Sequence, residues 1–128
     1  MKKLFKRLFP SKEMRAYRKM YHRHRKELVQ LAKQDRDFDW GWLYEFTIMK
    51  IKHMYEYFSE GNNVCQSEES LNEILSQLKH VLNLNEELDS LWNTDGDTKG
   101  YLEKQKREQE LYEEIYSYIG KYIQWWWD

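Results

Sequence analysis

The sequence predicts an all-α fold, a compact bundle of about four long helices preceded by a short N-terminal amphipathic helix, and three observations lead there. Apolar residues recur at helical spacing through most of the chain. One proline and five glycines in 128 residues leave little of the punctuation that sandwiches, barrels and Gly-rich phosphate loops require. The polar interruptions are short, the clearest being "NTDGDTKG".

The elements follow in order. Before Pro10, "KKLFKRLF" is an amphipathic piece of about two turns, too short to be stable alone, which must dock or fray. Pro10 and Ser11 mark a helix start with Ser11 as N-cap, and the first long helix covers about residues 12–34. Met14, Tyr17, Tyr21, Leu28 and Leu31 make a heptad-like stripe once His24 is counted. Lys12, Arg15, Arg18, Lys19, Arg23, Arg25, Lys26 and Lys33 fill the other faces, so one side packs and the rest is basic. Asp37 or Asp39 caps a second helix over about 39–60, which Gly61 with Asn62 and Asn63 should stop. Leu43, Phe46, Met49, Ile51, Met54, Tyr55 and Phe58 give it a broad apolar face, as a central helix needs.

Ser67, or Ser70 in a capping box with Glu73, opens a third helix that runs to about residue 92. Its Leu, Ile and Val stripe is broken only at Asn85, and Asn83 with Asn85 mark a place for a kink or a break. The last helix begins near Lys99 and should reach the end, with Leu111, Ile115, Ile119, Tyr122, Ile123 and Trp126 on one face. Its early turns, "EKQKREQE", read as solvated.

At this length one domain, 1–128, is the expectation, with residues 1–10 as a loosely docked basic arm. The lone Cys65 cannot form an intramolecular bridge and the N-terminus lacks a signal-peptide core, so a cytoplasmic setting is expected. No run approaches the roughly 18 apolar residues of a membrane span. Six Trp and ten Tyr exceed what a small helical core needs, and point to a sticky surface or an aromatic-heavy core.

Net charge conceals segregation. Residues 1–36 carry 13 Lys/Arg against 3 Asp/Glu, a charge of +10, and the remainder 8 against 19, a charge of −11, which restores the net −1. The basic part either lies against the acidic helices and neutralises them or meets an anionic partner: nucleic acid, a nucleotide, a membrane surface or a protein.

Catalytic and metal signatures are missing. A di-iron bundle needs Glu-x-x-His pairs, but Lys50 precedes His53 by three and Gln77 precedes His80 by three. His22 and His24 lie about 200° apart on a helix, a poor basis for one metal. His24 reads as a hydrogen-bonded core residue, Cys65 as an ordinary loop thiol, and the Glu-Glu pairs as solvated faces. No phosphate loop, dinucleotide fingerprint or His-Glu-x-x-His motif occurs. Neither an enzyme nor a metal or cofactor is expected.

The most informative motif is a ribbon of Arg15, Arg18, His22, Arg25 and Lys26 at helical spacing, fit to track phosphates or an acidic surface. The second is the ending "YIQWWWD". Successive helical residues turn by about 100°, so three tryptophans cannot all enter one core. Trp126 follows the apolar stripe, and Trp125 and Trp127 either form a structural lid or offer a binding surface.

At "DFDWGWLYEFTIMKIKHMYEYFSEGNNV" and the terminal "YIGKYIQWWWD", over about residues 37–128, the chain resembles a group of small bacteriophage-encoded proteins. They share an Asp-Trp opening to a long amphipathic helix and a terminal Trp-Trp-Asp. The resemblance implies phage origin, a host-cytoplasm location and a helical fold, and carries no functional residue. Two functions then compete: a non-enzymatic binding protein that inhibits a host or defence protein or sequesters a nucleotide signal, and a structural or assembly protein that self-associates through the first helix and the terminal tryptophans.

Overall fold

The structure, a computed structural model, describes residues 11–60, 66–93 and 100–127. Among these it is all-α: α1 Lys12–Ala32, α2 Trp40–Ser59, α3 Glu68–Ser90, α4 Tyr101–Tyr122, and a closing 3-10 turn Ile123–Trp125. The "KKLFKRLF" piece, the Gly61 stop and Cys65 lie outside the described residues. The chain divides into two compact units, the first ending at Met49 and the second beginning at Lys50, with the division inside α2.

In the first unit, Ser11 caps α1 as its side chain accepts from the Met14 N–H, replacing one hydrogen bond that a helix start lacks. The helix stops at Ala32, short of residue 34, because the Gln34 and Asp35 amides turn back in tight i−3 bonds to Leu31 and Ala32. Asp39, not Asp37, serves the start of α2, with its carboxylate accepting from the Gly41 N–H at 2.9 Å. Trp42 donates its indole N–H to the Leu31 carbonyl at 2.8 Å and stacks on Phe46 at 5.3 Å between ring centres. That carbonyl, in the last turn of α1 where i+4 bonding runs out, also accepts from the Gln34 amide.

In the second unit, Ser67 rather than Ser70 is the N-cap of α3, accepting from the Ser70 N–H. The helix passes Asn83 and Asn85 without a break. Asn85 stands within the buried stripe Ile74, Leu78, Val81, Leu88, and its amide reaches Asp89 at a long 3.4 Å. Leu78 and Val81 of α3 with Leu111 and Ile115 of α4 are fully buried. Each such side chain contributes about 1.5–3 kcal/mol relative to exposure. Cross-helix pairs Gln77–Trp126, His80–Tyr118 and Glu87–Arg107 run in opposite numerical directions, so α3 and α4 form an antiparallel hairpin.

One expectation is corrected here. The last helix does not reach the end of the chain. It stops at Tyr122, gives way to the 3-10 turn, and Trp126 leaves helical geometry at φ −88°, ψ 69°.

Candidate functional site

Two surfaces carry the residues singled out by sequence, one in each unit. On α1, Arg15, Arg18, His22, Arg25 and Lys26 are all exposed and fall within about 100° of one another round the helix. Buried Met20 and Leu31 lie on the opposite side. The ribbon is ordered by short-range chemistry: the Arg25 guanidinium sits over the Tyr21 ring at 4.9 Å, and Tyr21 meets His22 edge-on at 5.7 Å and Tyr17 at 6.3 Å. Arg23, just off the ribbon, pairs with Glu27 at 3.7 Å. Among the described residues Arg15, Arg18, Arg25 and Lys26 enter no ion pair. His24, expected in the core, is half-buried.

The second surface is the end of the α3–α4 hairpin. Trp126 is buried, 6% exposed, and donates its indole N–H to Gln77 Oε1 at 2.9 Å. Gln66 donates to the Trp127 carbonyl and so ties the chain end to the approach to α3. With Trp126 held inward, its neighbours turn out: Trp125 is 66% exposed and Trp127 59%. With Tyr122 and Ile74 they wall a cleft of about 480 Å³. The remaining wall is polar: Gln66, Ser70, Glu73 and Gln77.

Sequence reasoning named the two indoles but missed their company. Ser70, Glu73, Ile74 and Gln77 stand at i, i+3, i+4 and i+7, one face of α3. That spacing was legible; what it faced was not, because Glu73 also fitted a capping box.

The hairpin beneath is latched by side chains in the turns read as solvated. Arg107 presents a fork to Glu87 at 2.9 and 3.1 Å, with Glu110 and Glu114 at 3.5 and 3.9 Å. Hydrogen bonding to Glu87 raises the Arg107 pKa above its ordinary value, while desolvation opposes the rise. Trp92 donates to Glu108 nearby. Nearer the cleft, Tyr118 lies between His80 at 4.4 Å and Tyr122 at 4.7 Å, and burial, then Tyr122, pushes its phenol pKa up.

Among the described residues no three His, Cys, Asp or Glu side chains are grouped to hold a metal ion, and no helix is long and apolar enough to cross a membrane. The described residues present a cationic helix face in one unit and an aromatic cleft in the other. Comparison of the chain with protein-family models, curated proteins and solved structures returned no match.

Proposed function

We propose that the chain is a non-enzymatic binding protein, of the phage-encoded kind its aromatic motifs resemble, that engages an acidic surface of a host or defence protein in the host cytoplasm through the basic ribbon of α1. The observation that supports this is the exposure of Arg15, Arg18, His22, Arg25 and Lys26 on one face, with the arginines and Lys26 in no ion pair among the described residues. Charges left open in this way speed and orient encounter with a complementary surface, and arginine keeps its hydrogen-bonding fork available for carboxylates. Residues 1–10, read as a short amphipathic helix, extend the same charge in sequence. A long polyanion fits less well, since the chain beyond residue 36 carries −11 and would repel it.

Replacing Arg15, Arg18 and Arg25 by Glu is expected to abolish partner capture while leaving the helical circular dichroism unchanged. Capture equal to wild type by a folded variant would remove the ribbon from the mechanism. Thermal shift against cyclic and linear nucleotides addresses the sequestering variant, because a ligand at about 100 times its Kd adds roughly 2.7 kcal/mol of stability. Assembly remains a second reading for one reason. The N-terminal half of the α1 stripe, Met14, Tyr17 and Tyr21, is exposed, as a helix face awaiting a second copy would be.

A further inference from the structure

The cleft at the end of the α3–α4 hairpin has a charge character opposite to that of α1. Among the described residues its one charged wall is Glu73, and Glu68 and Glu69 stand exposed on the same helix. No lysine or arginine among the described residues lines it. Lys121, the nearest basic side chain along α4, already sits over the Tyr122 ring at 5.2 Å, while Tyr118 packs on that ring at 4.7 Å. Tyr122 is thus engaged, and the two largely exposed indoles are the aromatic groups left for a ligand. Indole faces carry negative quadrupole density and attract cations, most strongly where water is partly excluded. A carboxylate beside two indoles favours a cation and repels a phosphate or a carboxylate. The volume of about 480 Å³ falls within the range of roughly 300–1,000 Å³ found for ligand sites.

We infer that this cleft binds an arginine side chain presented by a peptide segment of a partner protein, with the guanidinium packed against the indoles of both Trp125 and Trp127 and hydrogen-bonded to the Glu73 carboxylate. Arginine is favoured over lysine because the guanidinium is planar and weakly hydrated, stacks on aromatic faces, and presents a fork that matches a carboxylate. Ser70 and Gln77 add polar lining without adding charge. The backbone anchor from Gln66 to Trp127 and the buried Trp126 on Gln77 hold the two walls in place, so little ordering is left for the ligand to impose. This site is independent of the α1 reading.

The test is fluorescence anisotropy with a labelled peptide of alternating glycine and arginine, compared with matched peptides bearing lysine or citrulline, which keeps the shape of arginine and removes its charge. Arginine is expected to bind tightest, lysine more weakly and citrulline not at all. Trp125→Ala, Trp127→Ala and Glu73→Gln should each weaken the arginine peptide by about twofold to thirtyfold, the range of cation–aromatic contacts from exposed to desolvated. The Arg15, Arg18 and Arg25 to Glu variant should bind it like wild type, which separates this site from the proposed function. Equal binding of citrulline overturns the proposal. So does a loss confined to Glu73→Gln with both Trp variants unaffected, since that is unspecific acidic attraction. Tetramethylammonium binding as tightly as the peptide would replace the peptide with a small quaternary amine and also overturn it. Should a Trp variant unfold, titration of wild type followed by its indole N–H resonances decides: those of Trp125 and Trp127 must move and that of Trp126 must not.

Discussion

Three adjacent tryptophans have two different fates. The stripe Ile119, Tyr122, Ile123 pointed to Trp126 as the buried one, and it is buried, by a route the stripe did not contain. Ile123 is exposed, the helix has already ended, and a 3-10 turn brings Trp126 inward onto Gln77. Trp126→Ala is therefore expected to cost about 3–5 kcal/mol, the loss for a large buried aromatic. Trp125→Ala and Trp127→Ala should each stay within about 0.5 kcal/mol, as exposed substitutions do. Urea unfolding of the three variants checks the contrast, and equal losses would make all three tryptophans structural. Asn85 teaches the same lesson in reverse. Its composition marked a break, yet it sits buried mid-helix and reaches Asp89, because the packed residues on either side outweigh its weak preference for non-helical backbone.

Helices were legible where their ends carry side-chain chemistry. Ser11 and Ser67 accept the amides that a helix start leaves unbonded, and Asp39 bonds the Gly41 amide at the start of α2. Less legible was the start of α4, whose charged turns form the latch of Arg107 on Glu87 and Trp92 on Glu108. Charge alone does not distinguish a solvated face from one that meets a partner helix. Gly100 precedes this helix at φ +79°, a conformation that other residues adopt with strain. Gly120 is a different case, since it lies inside α4 and a Cβ added there would meet nothing within 4 Å. Gly120→Ala should raise stability by about 0.5–1 kcal/mol through helix propensity and a less flexible unfolded chain. A higher unfolding midpoint with an unchanged spectrum is the expected result; a lower one would show that space beside α4 is taken in solution.

Across the whole molecule the charge segregation follows the division into units. The chain up to Met49 carries 13 Lys/Arg against 6 Asp/Glu, a charge of +7, and the chain from Lys50 carries 8 against 16, a charge of −8. Each unit thus carries its own sign, with a cationic helix in one and a cleft with a carboxylate in the other. The binding reading expects a monomer by sedimentation at about 100 μM, since its surfaces are reserved for a different molecule. A dimer whose population grows with concentration would instead assign the exposed Met14, Tyr17 and Tyr21 to self-association.

Helix content, most helix starts and the polarity of α1 are local properties, set by residue spacing and capping side chains, and they could be read from the chain alone. The end of α4, the fate of each terminal tryptophan and the company of Glu73 could not. Those depend on residues far apart in sequence, such as Gln77 and Trp126 or Gln66 and Trp127, whose hydrogen bonds form only once α3 and α4 have packed. Burial is a property of that packing, and it separated one tryptophan for the core from two for the surface.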